Sequence, residues 1–227
     1  ETDLVKNLVV ISGAGISAES GIKTFRDSNG LWENHDIMEV ASFQGWTNNQ
    51  ELVLDFYNQR RKQLLSCQPN EAHIQIAALE SKFKVQIITQ NVDDLHERAG
   101  SSQVLHLHGE LLKARSTAHE QLVYPWNKDI LTGDTCSRGS QLRPDIVWFG
   151  EEVTLMDHAL SILPQADILL VIGTSLLVYP AAGLIHEINP SCQKFIIDTN
   201  IPSSVPSSFT KIQSPATEGI SELLKLI

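Results

Sequence analysis

The chain has 227 residues, 42% of them hydrophobic and 19% charged, with 17 basic against 27 acidic side chains and a formal charge of −10. That composition excludes disordered and fibrous classes and suits one large domain, or one domain carrying an insertion. The acidic balance argues against a nucleic-acid partner, whose phosphates call for clustered Lys and Arg. The longest apolar runs, such as ILLVI at 168–172, are too short to cross a bilayer.

In chain order, the first predicted strand is NLVVIS, an apolar β-branched run that ends in the glycines of GAG. Gly13, Gly15 and Ala18 form GxGxxA between this strand and a helix, the pattern in which bare backbone meets a pyrophosphate at a helix N-terminus. The same pattern also serves as a plain strand-to-helix turn. A dehydrogenase would place a second strand and a ribose-binding acid about 20 residues on. Here the next strand candidate begins at Val85, 70 positions after Gly15, so hydride transfer is disfavoured. The intervening stretch supplies the loop KTFRDSNGLWENHD and predicted helices at 49–65 and 70–80.

On helix 49–65, Val53, Phe56, Tyr57 and Leu64 share one stripe with Arg60 in its middle. A buried guanidinium needs an anion, and Tyr57 and Arg60, three apart, are placed to receive a carboxylate together. The alternative is an Arg that snorkels past the apolar face or pairs with Asp55 or Glu51.

Further strands are predicted at VQIITQN (85–91), QVLHLHG (103–109), DILLVIG (167–173) and KFIIDTN (194–200), with helices at 153–163, at 181–188 and around SELLKL near the C-terminus. Continuous apolar strands imply burial on both faces, hence a Rossmann-like parallel sheet with helices on both sides: an α/β fold. Asn91 and Asp93 follow a strand at the carboxyl edge, where such sheets bind ligands, though Asp93 also suits a helix cap. His106 and His108 leave one face if their strand stays regular. A metal pair needs a further ligand, and none has suitable local spacing. Residues 111–142 form a polar, turn-rich insertion containing Pro125, Gly133 and Gly139. The expected division is a large part at about 1–24, 82–110 and 143–227, and a small lobe at about 25–81 and 111–142.

The blocks GAGISAESGIKTFRD, PNEAH, TQNVDDLHERAG, LHLHGE, RPDIVWFGE and GTSLLVYPAA stand in order along the chain. Together they resemble the sirtuin family of NAD-dependent protein lysine deacylases. The resemblance implies NAD and acyl-lysine entering a cleft between the two parts from opposite sides. It assigns Gly13, Ala14, Gly15, Glu19, Phe25 and Arg26 to the NAD loop, and Gln90, Asn91 and Asp93 to the nicotinamide-ribose pocket. Gly173, Thr174 and Ser175 become a second phosphate and ribose contact, with Asp198 and Asn200 near the adenosine ribose. His108, together with Asn91, becomes catalytic. The histidine takes a proton from the ribose so that its hydroxyl attacks the imidate formed when the acyl oxygen displaces nicotinamide, a task suited to an imidazole near neutral pH. His106 is then a hydrogen-bonded core histidine.

Val147, Trp148, Phe149, Gly150 and Glu151 match the edge that pairs with the substrate backbone; an internal strand is the alternative. Tyr57 and Arg60 match the Tyr-x-x-Arg of the branch that prefers succinyl, malonyl and glutaryl groups. Most sirtuins hold a structural zinc with two cysteine pairs in the insertion. Residues 111–142 offer only Cys136 and His119, so no zinc is expected, and Tyr124, Pro125 and Trp126 are the expected packing nucleus. Asp198 stands where an asparagine is usual, and its carboxylate would repel the 2′-phosphate of NADP. Cys67, Cys136 and Cys192 are widely spaced, which favours a reducing, cytoplasmic setting. A monomer acting on acylated lysines, with no nucleic-acid or membrane partner, is expected. The competing classes are a mono-ADP-ribosyltransferase or NAD glycohydrolase, and a non-catalytic NAD-binding module.

Overall fold

The computed structural model describes residues 5–23, 31–174, 183–185 and 188–227. The chain runs through β1 (Asn7–Ser12), a 3-10 helix at Ala14–Ser20, the short strands β2 (Leu31–Trp32) and β3 (His35–Asp36), and the helices α1 (Ile37–Val40), α2 (Phe43–Asn48), α3 (Gln50–Ser66) and α4 (Glu71–Ala78). It continues with β4 (Lys84–Thr89), α5 (Leu95–Arg98), β5 (Val104–His106), β6 (Gly109–Ser116), β7 (Val123–Pro125), β8 (Leu142–Ile146) and α6 (Met156–Ile162). The last elements are β9 (Ile168–Ile172), β10 (Gln193–Ile197), β11 (Phe209–Ile212) and α7 (Ala216–Leu223). Among the described residues no helix is long and apolar enough to cross a membrane.

Six strands form one sheet in the order β11-β10-β9-β1-β4-β5, and every pairing is parallel. Both faces are covered. Leu8 and Val10 of β1 point into one apolar core, shared with α4 and α7, while Val9 and Ile11 point into a second, shared with α6. That alternation from a continuous apolar run is the signature of a sheet buried on both sides. The chain leaves β1 in one direction through β4 and β5 and in the other through β9, β10 and β11, so the strand order reverses beside β1. Open α/β sheets bind ligands in the crevice at such a switch point, outside the carboxyl ends of the strands.

The sequence leads to five of these strands. The sixth, β11, is a short edge strand whose two central residues, Thr210 and Lys211, are exposed, so it lacks a continuous apolar run. Helix α7 begins five residues before SELLKL, and Gly219 in its middle allows the fit: a Cβ there would lie 2.3 Å from Ile197 Cγ2. The predicted strand 103–109 ends at His106. Leu107 and His108 form a turn and Gly109, at φ +86°, opens β6, so the two histidines do not share one regular strand. The predicted helix 181–188 falls largely outside the described residues.

A third core joins α1, α2 and α3 to the antiparallel sheet β7-β6-β8. Asn58 of α3 grips the insertion, donating from Nδ2 to Ile130 O at 2.9 Å and accepting at Oδ1 from Ile130 N at 2.8 Å. Leu111, Ala114, Ile130, Cys136 and Leu142 are the buried residues of the insertion; Tyr124 and Trp126 lie at the margin of this core and Pro125 is exposed, which corrects the expected nucleus. Helix α4 packs Ala72 and Ile76 on the first core of the large sheet rather than with the inserted lobe.

Candidate functional site

The carboxyl ends of β1, β4 and β9 meet at the switch point. The loop after β1 lies backbone to backbone on the loop after β9: Gly13 N donates to Ile172 O at 3.1 Å, and Gly15 N to Gly173 O at 2.8 Å. A Cβ on Gly13 would lie 2.6 Å from Thr174 Cβ, one on Gly15 2.7 Å from Gly173 Cα, and Gly173 itself holds φ +65°. These glycines therefore let two crossover loops touch, and the N–H groups of Gly13 and Gly15 are engaged in that contact.

Behind them lies the turn after β4. Gln90 donates from Nε2 to Thr174 Oγ1 at 3.2 Å, and Asn91, buried, donates from Nδ2 to Gly13 O at 3.1 Å. Asp93 is buried as well. Its Oδ2 accepts from the Ser17 hydroxyl at 2.8 Å and its Oδ1 from Leu95 N at 3.1 Å, so it does form the Asx turn at the head of α5. Burial raises the Asp93 carboxyl above its ordinary 3.8, outweighing those two hydrogen bonds. Beneath sits a polar layer that no sequence motif flagged: Ser12 bonds Thr89 Oγ1 at 2.8 Å and His96 Nε2 at 2.9 Å, and the rings of His96 and His73 meet edge to face at 5.1 Å. Both rings are buried and held neutral: burial first and Arg98 second lower His73 to about 4, and burial first, then the neighbouring His73 and His106, lower His96 to about 3. The available signal was polar: Ser12 and Thr89 close otherwise apolar strands, and His73 lies inside PNEAH.

The two histidines of LHLHG separate in role. His106, buried, places Nδ1 2.9 Å from Asn91 O and Nε2 2.6 Å from Glu97 Oε1. The half-buried His108 places Nδ1 3.1 Å from Gln90 O. A carbonyl only accepts, so Nδ1 of His108 carries the hydrogen and Nε2 keeps a lone pair. Burial lowers its pKa, partly offset by the Gln90 carbonyl, and the ring stays neutral. The donor atoms of Glu97, His106 and Glu110 lie within 4.8 Å of one another, and protein partners engage all three, Glu110 through Lys113.

Helix α3 brings a second pocket to this one. A pocket of about 60 Å³ lies between Ile22, Trp32, Tyr57, Arg60, Val92 and Asp93. The fully buried guanidinium is that of Arg61, which donates to Leu111 O at 3.0 Å and Asn58 Oδ1 at 2.8 Å. Arg60 is half-buried instead, stacked 5.0 Å over the Phe56 ring, and among the described residues its buried Nε has no hydrogen-bond partner. The Tyr57 hydroxyl accepts from Trp148 Nε1 at 3.0 Å.

Residues 147–151 follow β8 rather than forming a free strand. Val147 N donates to His108 O, Trp148 is buried, and Phe149, half exposed, bridges in parallel to Ser42. Gly150 turns at φ +89°, and the Glu151 carboxylate points back into the protein, bonded to Arg143 at 2.7 Å and to Trp148 N at 2.8 Å. Other expected ligand residues are similarly employed: Glu19 accepts from Thr217 N and Oγ1 at the start of α7, and Asp198 Oδ1 accepts from the N–H of the exposed Asn200. Ala14 is exposed on the glycine loop, and Phe25, Arg26 and Ser175 lie outside the described residues.

A profile of the Sir2 family matches residues 13–180, which run from the glycine loop through the loop after β9. The chain belongs to the Sir2 family. An NAD-dependent protein deacylase of Helicobacter pylori is 56% identical over 98% of this chain and 96% of its own length. One of Bacteroides thetaiotaomicron is 46% identical over 98% of each. Among solved structures, a Sir2 homologue–NAD complex superposes with a TM-score of 0.87 at 37% identity, covering 97% of this chain and 89% of that one. Sir2 bound to acetylated peptide gives 0.80 at 29% identity, with 96% and 92% covered. The expected α/β architecture is thus the Sir2 fold, with its parallel sheet and smaller antiparallel sheet.

Proposed function

We propose that this Sir2 protein removes acyl groups from protein lysines at the expense of NAD, releasing nicotinamide and O-acyl-ADP-ribose. The observation that carries the reading is one pocket lined by Tyr57 and Arg60 of α3 together with Asp93, two residues from the Asn91 that bonds Gly13 O at the switch point of the sheet. A pyrophosphate would lie against the loops of Gly13, Ala14, Gly15, Gly173 and Thr174, of which Ala14 at the head of the 3-10 helix is exposed, and Asn91 and Asp93 beside them offer an amide and a carboxylate to ribose hydroxyls or a carboxamide. NAD bound there supplies a glycosidic bond to nicotinamide that the acyl oxygen breaks.

The chain's own part is to orient and to move one proton. His108 is the base: its Nδ1–H is fixed on Gln90 O, so Nε2 is left to accept. The acylated peptide lies along 147–151, where Val147, Trp148, Phe149 and Gly150 supply backbone and apolar surface, and Glu151 acts by holding Arg143 under that segment. The unpartnered Nε of Arg60 points to an acidic acyl group, succinyl or malonyl, as well as acetyl. Asp198 favours NAD over NADP, and Glu19 and Asn200 flank the adenosine end.

Further parts of the proposal are a small lobe of about 25–81 and 111–142, less helix α4, which packs on the large sheet, and no zinc there, because Cys136 and His119 cannot complete a four-ligand site. We place the enzyme in the cytoplasm, since its three cysteines are free and buried, and take it to act as a monomer. The test is incubation with NAD and acetyl-, succinyl- and malonyl-lysine peptides, read by mass spectrometry, for the protein and for His108→Ala. Acyl-ADP-ribose formed only by the unmodified protein is the expected outcome. Nicotinamide release independent of acyl-lysine, or full turnover by His108→Ala, overturns the proposal.

A further inference from the structure

The remaining histidine of the pair has a hydrogen-bond pattern that fixes its charge. His106 faces an acceptor on each side: the carbonyl oxygen of Asn91 at 2.9 Å from Nδ1, and the Glu97 carboxylate at 2.6 Å from Nε2. A neutral ring carries one N–H and would turn a lone pair toward one of these oxygens, whereas a ring protonated on both nitrogens satisfies both. We infer that His106 works as an imidazolium, held by Glu97, that positions the Asn91 peptide of the nicotinamide pocket, and that its loss of a proton sets the alkaline limit of activity. This rests on the deacylase reading for the role of Asn91.

The surroundings agree. The His106 side chain is only 6% exposed, while that of Glu97 is 38% exposed, so the pair is a buried cation tied to a carboxylate that reaches the surface. Burial opposes the charge on the ring, yet the bond and attraction of Glu97, with the Asn91 carbonyl and Glu110 behind them, outweigh it and hold the pKa above 6.5. Glu97 is held below its ordinary 4.5 by the same contact against the cost of its own burial. The other charged or titratable groups near the ring are Asp93, His96, and Lys113 through Glu110. His96 is kept neutral, so it adds no competing charge.

What the imidazolium holds matters because the Asn91 turn has few other anchors. Asn91 N donates to Thr89 Oγ1 at 3.0 Å and its side chain reaches Gly13 O, while His108 fixes the preceding carbonyl at Gln90. Adjacent carbonyls, at 90 and 91, are thus each held by one histidine of LHLHG. The spacing of two that suggested a metal pair instead places one neutral ring and one charged ring on consecutive peptides. His106 is a positioning residue and touches no substrate.

Three measurements test this. Histidine NMR of the intact protein reads the His106 titration directly, and a midpoint above 6.5 is expected, with both ring nitrogens protonated below that midpoint. The profile of kcat/KM for NAD falls on the alkaline side through that midpoint, and Glu97→Gln moves the fall toward lower pH by about one unit. His106→Ala raises KM for NAD about tenfold. His106→Asn, whose amide still donates to Asn91 O but does not titrate, restores most of that loss and removes the alkaline fall. A midpoint below 6.5, or an alkaline limb unmoved in Glu97→Gln, overturns the inference, as a uniform drop in kcat with no change of profile would. Failure of the deacylase reading is a different result: no NAD-dependent product at any pH, with the NMR titration unaffected.

Discussion

The amide of Gly15 donates to the carbonyl of Gly173 at 2.8 Å, and a methyl group on Gly15 would lie 2.7 Å from Gly173 Cα. The obstacle is backbone on both sides, which has no rotamer with which to yield. Gly15→Ala is expected to push the two crossover loops apart, cost ~2 kcal/mol and lower the melting temperature by about 4–8 °C. Because the same loops form the proposed phosphate cradle, affinity for NAD should fall together with stability. Calorimetry and NAD titration check both; an unchanged melting temperature would show that the loops separate freely.

Neighbouring arginines on α3 are expected to fail in different ways. Arg60 borders the pocket with an unpartnered Nε, so Arg60→Met should leave the fold intact, reduce desuccinylation by about 10- to 100-fold, and spare deacetylation, the span of one charge-assisted hydrogen bond. Arg61 is 1% exposed and holds Leu111 O and Asn58 Oδ1. Arg61→Met strands Leu111 O, leaves Asn58 Oδ1 with Ile130 N alone, and should cost ~2–4 kcal/mol, lowering both activities in proportion to the folded fraction. Equal losses on the two acyl peptides in Arg60→Met would remove Arg60 from the acyl pocket.

The difference between those two arginines shows where the sequence stops being legible. Periodicity located α3 to within one residue at each end, because a long helix repeats its apolar stripe, yet it placed Arg60 inside and missed Arg61. A guanidinium is buried by the hydrogen-bond acceptors it meets, and Leu111 O and Asn58 Oδ1 come from tertiary contact and from the polar flank of the stripe. Continuous runs such as ILLVI revealed five strands of the sheet, while β11 and its exposed Lys211 followed no such pattern. At the site, glycine spacing and the run TQNVDD pointed to the carboxyl edge of the sheet, where the structure brings these loops together. The layer of Ser12, His73 and His96 beneath was hidden because its members are far apart in the chain, and none needs a motif to pair with the next.

That hidden layer carries a pH dependence. His73 and His96 have folded pKa values of about 4 and about 3, below the ordinary 6.5, so the native state takes up their protons less readily than the unfolded chain does. Depressed histidines contribute stability that is present above 6.5 and lost as pH falls toward the folded values. Each is expected to contribute a slope of up to about 1.4 kcal/mol per pH unit in that window. Urea midpoints taken between pH 7 and pH 4 check this, and His96→Gln, which can keep the bond to Ser12 without titrating, should flatten the slope. An acid profile identical in that variant would assign the loss to other groups.

Asp93 has the opposite sign. Its carboxyl is raised above 3.8 by burial, and a raised acid contributes stability only below its unfolded pKa, which is lost as pH rises through the folded value. At neutral pH the buried charge is therefore a cost to the fold, kept beside the pocket where we propose that this carboxylate faces ribose hydroxyls. Asp93→Asn can preserve both existing contacts: its carbonyl still accepts from Leu95 N, and its amide donates to Ser17 Oγ. The variant is expected to melt at the same or a higher temperature at pH 7, with the gain shrinking toward pH 4, while kcat/KM for NAD falls about 100-fold or more, the trade of stability for function seen where a site holds an uncomfortable charge. Melting curves at the two pH values and NAD kinetics decide it. A lower melting temperature for Asp93→Asn would mean that the ionised carboxylate supports the turn, and full activity would mean that the ribose is gripped elsewhere.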